Sequence, residues 1–322
     1  MFNKNWWKTA LSVFLCTVAT GCFQTSKEQD RRVQVDVLST QKTHFNLHSV
    51  EDLYAFLTYD ENRYPLISAH RGGPGAGYPE NALKTFGRVA EAMPVIIECD
   101  VRMSKDSVLV LLHDEELART TNGTGRVGQY TLRELQELRL KDTEGKLTDC
   151  IIPTLKEALI WGNGKVIFTL DVKNDVPYRE LAALIQETEA AAYSVVITYS
   201  ANQAIALHRT DPDLMISASI KSEKDLLRLY SANIPDNRLV AFVGTSQPDS
   251  KLVKALHDHG IKIILGTIGN LDKHAAARGY QLYAEYIENG ADILSTDRPF
   301  EAIKALDYYI SKRNLTSPYI NH

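Results

Sequence analysis

Between residues 66 and 296, short apolar runs alternate with amphipathic stretches, and no other feature of the chain restricts its fold so tightly. Runs over 66–70, 94–100, 165–172, 194–199, 214–219, 238–243, 261–267 and 291–296 read as buried strands. Apolar residues at helical spacing mark 81–93, 178–191, 224–231, 250–259 and 274–289. Strand followed by helix, repeated, lays successive strands parallel in one sheet. Eight such units in about 250 residues predict an α/β chain closed into a (β/α)8 barrel of the triosephosphate isomerase type, a TIM barrel. A doubly wound open sheet is the competing architecture, but no Gly-x-Gly-x-x-Gly follows an early strand. With 322 residues, 44% of them hydrophobic, one large core is affordable without staples.

One apolar run, Val108 to His113, does not fit the alternation. Too few residues separate it from Asp100 for the crossover of about a dozen that two parallel strands need, so it must fold back as a hairpin. A turn around Ser104-Lys105-Asp106-Ser107 would place His113 opposite residues 98–100. The residues from about 114 to 152 then break the rhythm, and Thr131-x-x-Glu134 within them is a helix-start signature. They are expected to form a small insertion on the active face, ending before a second such start at Thr154-x-x-Glu157.

Glu98 and Asp100 are two apart on an otherwise apolar strand, so both carboxylates share a face and Cys99 takes the other. Side by side they repel unless a cation joins them, and hard oxygen ligands favour one Mg²⁺ or Ca²⁺ over Zn²⁺. Asp171 closes the apolar run 166–172 and is the third candidate ligand. Lys173 shares its face, and a plain Asp171–Lys173 ion pair is the alternative reading. His70 ends the first strand, where barrel enzymes carry catalytic groups, and Arg71 beside Gly72-Gly73 offers a planar fork suited to a phosphoryl group. His70 and His113, at converging strand ends, are candidates for acid and base.

The N-terminus carries an address. Lys4 and Lys8 precede an apolar stretch, Thr9 to Ala19, too short for the ~20 residues of a membrane span and matching an export signal. Val18-Ala19-Thr20-Gly21-Cys22 resembles the lipobox of bacterial lipoproteins, which implies cleavage and lipidation at Cys22 and a place in the bacterial cell envelope. Residues 1–22 are therefore read as signal, 23–47 as a polar flexible tether, and 48–322 as the folded domain, with a helix starting near Ser49. A net charge of −4 and the lack of a dense basic run argue against a nucleic-acid partner, and nothing points to a protein partner. Four cysteines, one of them Cys22, make no disulfide framework, and Cys99 and Cys150 are expected as unpaired thiols.

Taken in order, His70-Arg71-Gly72, Pro79-Glu80-Asn81, Glu98-Cys99-Asp100-Val101, Asp106 through His113-Asp114, Arg119-Thr120-Thr121 with Gly125, Ile152-Pro153-Thr154-Leu155 and Ser295-Thr296-Asp297-Arg298-Pro299 resemble the motifs of glycerophosphodiester phosphodiesterases. The resemblance implies a TIM barrel with an insertion after the His113 motif. It also implies hydrolysis of glycerophosphodiesters to glycerol 3-phosphate and an alcohol with Ca²⁺ or Mg²⁺. Position by position it matches His70 and His113 to general base and acid, Glu98 and Asp100 to metal ligands, and Arg71 and Lys173 to phosphate contacts. Two positions depart from the family pattern: Asp171 stands where a Glu is usual, and Gly266 where a Trp is common, which is expected to open one wall of the pocket. A lipid-anchored phosphodiester-binding protein without turnover and a phospholipase of type C or D are the other readings of these residues.

Overall fold

The computed structural model describes residues 44–321, so the signal over 1–22, Cys22 and the tether as far as residue 43 lie outside the described residues. Residues 44–47, assigned to the tether, belong instead to the folded body. His44, Phe45 and Leu47 are buried, the Phe45 amide donates to the Gly164 carbonyl at 2.8 Å, and Phe45 bridges Ile320. Phe45 and Leu47, two apolar side chains in a polar run, are enough to dock this segment. Helix α1 (Val50–Leu57) follows, capped by Ser49 and Asp52 in a reciprocal box and burying Leu53, Phe56 and Leu57.

Eight parallel strands close on themselves: β1 (Leu66–Ala69), β2 (Ile96–Met103), β4 (Ile167–Val172), β5 (Ser194–Thr198), β6 (Met215–Ser219), β7 (Leu239–Phe242), β8 (Ile263–Gly266) and β9 (Ile293–Thr296), with β1 pairing both β2 and β9. Strand β3 (Leu109–Leu111) pairs antiparallel with β2, Val101 opposite Leu111 and Met103 opposite Leu109. All eight barrel runs and the hairpin are where the apolar pattern places them. The strands are buried along almost their whole length, since helices cover the outside and side chains fill the interior.

The amphipathic stretch 274–289 is two helices, Asn270–Arg278 and Leu282–Glu288, not one. Gly279 has φ 116°, a backbone conformation no helix can continue through, and it ends the first of them. The insertion has its own small core, in which Leu117, Val127, Leu135, Leu140 and Cys150 pack on Val110 and Leu112 of the hairpin. Cys99 and Cys150 are both buried free thiols. By thus fastening the hairpin from outside the barrel, the insertion fixes the segment that carries His113.

Candidate active site

Beyond Ala69 the chain does not run straight into a helix. His70–Gly72 form a tight turn in which Arg71 sits in the left-handed region at φ 50°, ψ 28°, a strain of about 1 kcal/mol or more for a residue with a Cβ. That turn aims the Arg71 amide at Glu98 Oε2, 2.8 Å away. Gly72 is required there, because a Cβ would stand 2.4 Å from the Phe86 ring.

Glu98 and Asp100 project from the same face of β2, and Asp100 lies in register with Asp171 on β4. All three acids are buried, and each offers an oxygen within 4.8 Å of the others. Their surroundings differ. Asp100 accepts from Asn81 Nδ2 at 2.7 Å and pairs with Lys173 Nζ at 2.7 Å; burial opposes its charge, but Lys173 and Asn81 outweigh that and hold the carboxyl below its usual range. Asp171 Oδ2 takes the second contact of Lys173, at 2.6 Å, and Asp171 Oδ1 has no hydrogen-bond partner. Burial likewise opposes the Lys173 charge, and the two aspartates outweigh it and raise its pKa. Glu98 is left with the Arg71 amide, and burial together with the neighbouring Asp100 charge pushes it up to about 8.

Lys173 answers two of these carboxylates and Arg71 Nε stands 3.6 Å from Asp100, yet a buried oxygen of Asp171 has no partner and Glu98 has only the His70 ring, at 4.0 Å, to offset its charge. A divalent cation among Glu98, Asp100 and Asp171 fits that donor set, all hard oxygens with one orphan pointing to the vacancy in charge. The ion-pair reading of Asp171 and Lys173 is also realised, since the same side chain has one oxygen on Lys173 and the other unpaired.

The two histidines stand at the rim of this acidic cluster. His70 Nδ1 lies 2.6 Å from Asp297 Oδ1 at the end of β9, which keeps the proton on Nδ1 and leaves Nε2 4.0 Å from Glu98 Oε2. Burial lowers the His70 pKa, but Asp297 and Glu98 outweigh it and the net shift is upward. His113 is carried to the same end of the barrel by the hairpin, where the Leu112 amide donates to the Asp100 carbonyl at 3.0 Å and Arg102 Nε to the His113 carbonyl at 2.9 Å. Its Nδ1 lies 2.7 Å from Asp114 Oδ1, freeing Nε2. Arg119, from the insertion, grips Asp114 at 2.5 Å and Glu80 at 2.8 Å, and Glu80 in turn holds Arg71 at 3.1 Å. The N–H groups of the Arg119 fork are thereby divided between two carboxylates, and Asp114 is held well below the usual carboxylate range, chiefly by Arg119.

The seven residues assigned to the catalytic, phosphate-binding and metal roles from the sequence are therefore gathered at one end of the barrel: His70, Arg71, Glu98, Asp100, His113, Asp171 and Lys173. Glu80, Asn81, Asp114, Arg119 and Asp297 stood in the motifs without a role; the structure makes Glu80, Asn81, Asp114 and Asp297 each a partner of one of those seven, and Arg119 the link between Glu80 and Asp114. At Gly266 a Cβ would stand 3.1 Å from Phe242 Cζ and 3.1 Å from the Gly244 carbonyl, so Phe242 packs directly beside the position.

Residues 70–299, most of the chain, match the glycerophosphoryl diester phosphodiesterase family. The chain belongs to that family. Among solved structures, a glycerophosphoryl diester phosphodiesterase from Parabacteroides distasonis is 38% identical and superimposes with a TM-score of 0.78 over 83% of this chain and 94% of that one. A phosphodiesterase from Oleispira antarctica, solved in complex with the product sn-glycerol-3-phosphate, shares the fold at a TM-score of 0.63 over 81% of this chain and all of that one, with 22% identity. A glycerophosphodiester phosphodiesterase from Caldanaerobacter subterraneus subsp. tengcongensis is 37% identical over 113 residues, 34% of this chain and 46% of that protein. The matched segment thus spans about half the length of that relative. The acidic trio, with its one unpaired oxygen, offers a donor set that fits a metal ion.

Proposed function

We propose that this chain hydrolyses glycerophosphodiesters to glycerol 3-phosphate and an alcohol. The reading is carried by one observation: three buried carboxylates converge with an unpaired oxygen among them, flanked by two histidines whose Nδ1 atoms are each taken by an aspartate. Family membership and the glycerol 3-phosphate held by the Oleispira relative support it.

In this reading Glu98, Asp100 and Asp171 hold one Ca²⁺ or Mg²⁺, and when bound the ion supplies Lewis-acid polarisation of the phosphoryl oxygens. The chain's own residues do the rest. Arg71 and Lys173 face the phosphoryl group and stabilise the negative charge that builds on its oxygens. One histidine, through Nε2, removes the proton of the attacking hydroxyl as its oxygen bonds to phosphorus. The other gives a proton to the alkoxide as the bond from phosphorus to the alcohol breaks. With the neighbouring glycerol hydroxyl as nucleophile, a cyclic phosphate forms and water opens it in a second step. A substrate analogue lacking that hydroxyl is then inert, whereas direct attack by water would still cleave it.

The test is turnover of glycerophosphocholine, glycerophosphoethanolamine and glycerophosphoinositol with and without chelator, with His113→Ala alongside. Metal-dependent release of glycerol 3-phosphate by the wild type is the expected result, and undiminished activity after metal removal overturns the ligand assignment. The export signal and Cys22 support a further part of the same reading, that the enzyme works in the bacterial cell envelope on a lipid anchor.

A further inference from the structure

Next to the acidic cluster, on the same end of the barrel, a cavity of about 260 Å³ opens between the ends of β5 and β6. Tyr199, the residue after β5, lines it, and so do Ser219, Lys221, Asp225 and Arg228, the last two from the helix Glu223–Ser231. The cavity and the acidic cluster are neighbours across adjoining strands: β5, which Tyr199 follows, pairs with β4 with Val196 opposite Leu170, the residue before Asp171. The cavity thus begins one strand along from Asp171.

The charge of the cavity is opposite to that of the cluster. Lys221 and Arg228 bring two cations against the single carboxylate of Asp225. That carboxylate is already engaged: it accepts from the Lys221 amide at 3.1 Å and from Ser222 Oγ at 2.8 Å, and pairs with Arg228 at 3.8 Å. Among the described residues the Lys221 ammonium has no carboxylate within salt-bridge reach, although its Cε packs 3.7 Å from where a Gly244 Cβ would stand, at the end of β7. A volume of this size suits a small polar group and not an acyl chain.

Resting on the phosphodiesterase reading, we propose that this cavity is the subsite for the leaving alcohol and that it selects alcohols bearing an additional anionic group, a phosphate or a carboxylate. The assignment follows from charge. Glycerol is neutral and cannot use Lys221 or Arg228, and the scissile phosphate has Arg71 and Lys173 for itself, so the anion these side chains await is on the other half of the diester. Choline and ethanolamine carry the same sign as the cavity and are disfavoured in it.

The deciding pair of substrates is glycerophosphoinositol 4-phosphate and glycerophosphoinositol, which share one ring and differ by one phosphate. The wild type is expected to prefer the phosphorylated diester by about tenfold in kcat/KM, the scale of two partly solvated charge contacts. Lys221→Met with Arg228→Met, both exposed positions that folding does not depend on, is expected to bring that ratio to about one, and Lys221→Glu to reverse it. A wild-type ratio of one or below, or a ratio the substitutions do not move, overturns the subsite. The same two diesters are titrated calorimetrically against the metal-loaded His113→Ala protein, which reads binding without turnover. If neither diester is cleaved but the phosphorylated one binds more tightly through Lys221 and Arg228, the reaction assignment fails and the subsite stands. If both are cleaved and bound alike, the subsite fails and the reaction stands.

Discussion

Asn81 holds Asp100 at both ends: its Nδ2 donates to Asp100 Oδ2 at 2.7 Å and its Oδ1 accepts from the Asp100 amide at 3.0 Å, with Asn81 fully buried and in the left-handed region at φ 58°. A side chain that spans a strand residue in this way fixes the rotation of the carboxylate as well as its position, and only Asn tolerates this backbone while offering both a donor and an acceptor. Asn81→Ala is therefore expected to weaken Ca²⁺ or Mg²⁺ binding by about tenfold to a hundredfold, the usual effect of losing such a supporting bond. Calorimetric titration of the metal, on protein shown by circular dichroism to be folded, checks it; unchanged affinity would remove Asp100 from the ligand set.

His113→Ala is expected to lower kcat/KM by about 10²-fold to 10⁴-fold, the contribution of a positioned acid or base. Metal affinity should be unmoved, because the His113 ring bonds Asp114 and not the acidic trio. Rate and metal titration on one preparation separate this from general damage to the site.

Arg119 touches nothing that reacts, yet it joins Asp114, and so His113, to Glu80 and Arg71. Its loss leaves two carboxylates facing each other without their shared cation and lets both catalytic side chains turn. Arg119→Ala is expected to cost on the order of tenfold to a hundredfold in kcat, as misplacement of reacting groups does. Arg119→Lys should recover little of it, because a point charge cannot grip two carboxylates with two N–H groups each. Full activity in Arg119→Lys would show that charge alone is what the network needs.

The barrel could be read from the chain because parallel strands covered on both faces must be apolar throughout, and buried acids such as Glu98, Asp100 and Asp171 stand out against such runs. The hairpin was equally legible, since a short separation excludes a parallel crossover. What did not show was any role set by a distant partner. Asp297 matters because it meets His70 across 227 positions, and Asn81 because it meets Asp100 across 19, and neither relation leaves a periodicity. The contact of Gly266 with Phe242 of the neighbouring strand is of the same kind and is seen only in the fold. The break at Gly279 and the docking of Phe45 and Leu47 were local and small, too little signal to override the helical and polar patterns around them.

Cys22→Ala is expected to move the protein from the membrane fraction to the soluble envelope fraction, because a lipid chain is then absent while the export signal before it is intact. Metabolic labelling with a fatty acid distinguishes the two forms, and continued labelling of the variant would refute lipidation at that cysteine.

Glu98 gives the chelated protein a pH signature. Its carboxyl is pushed up from 4.5 to about 8 in the fold, first by burial and then by the Asp100 charge, whereas in the unfolded chain it ionises at the ordinary value. Between those two pH values the folded state keeps a proton that the unfolded state has lost, so stability falls as pH rises through the window and levels off above it. The loss is on the order of a few kcal/mol. Saturating Ca²⁺ or Mg²⁺ should flatten the decline, because the cation then balances the carboxylate in place of the proton, and metal binding in that window should release a proton. Urea midpoints from pH 5 to about 8.5, in chelator and in excess metal, are compared for wild type and Glu98→Gln. The variant cannot ionise at that position, so its chelated stability should lack this part of the slope. If wild type and Glu98→Gln decline in parallel in chelator, Glu98 is not the group that titrates, and the argument that the trio needs a cation loses its electrostatic basis.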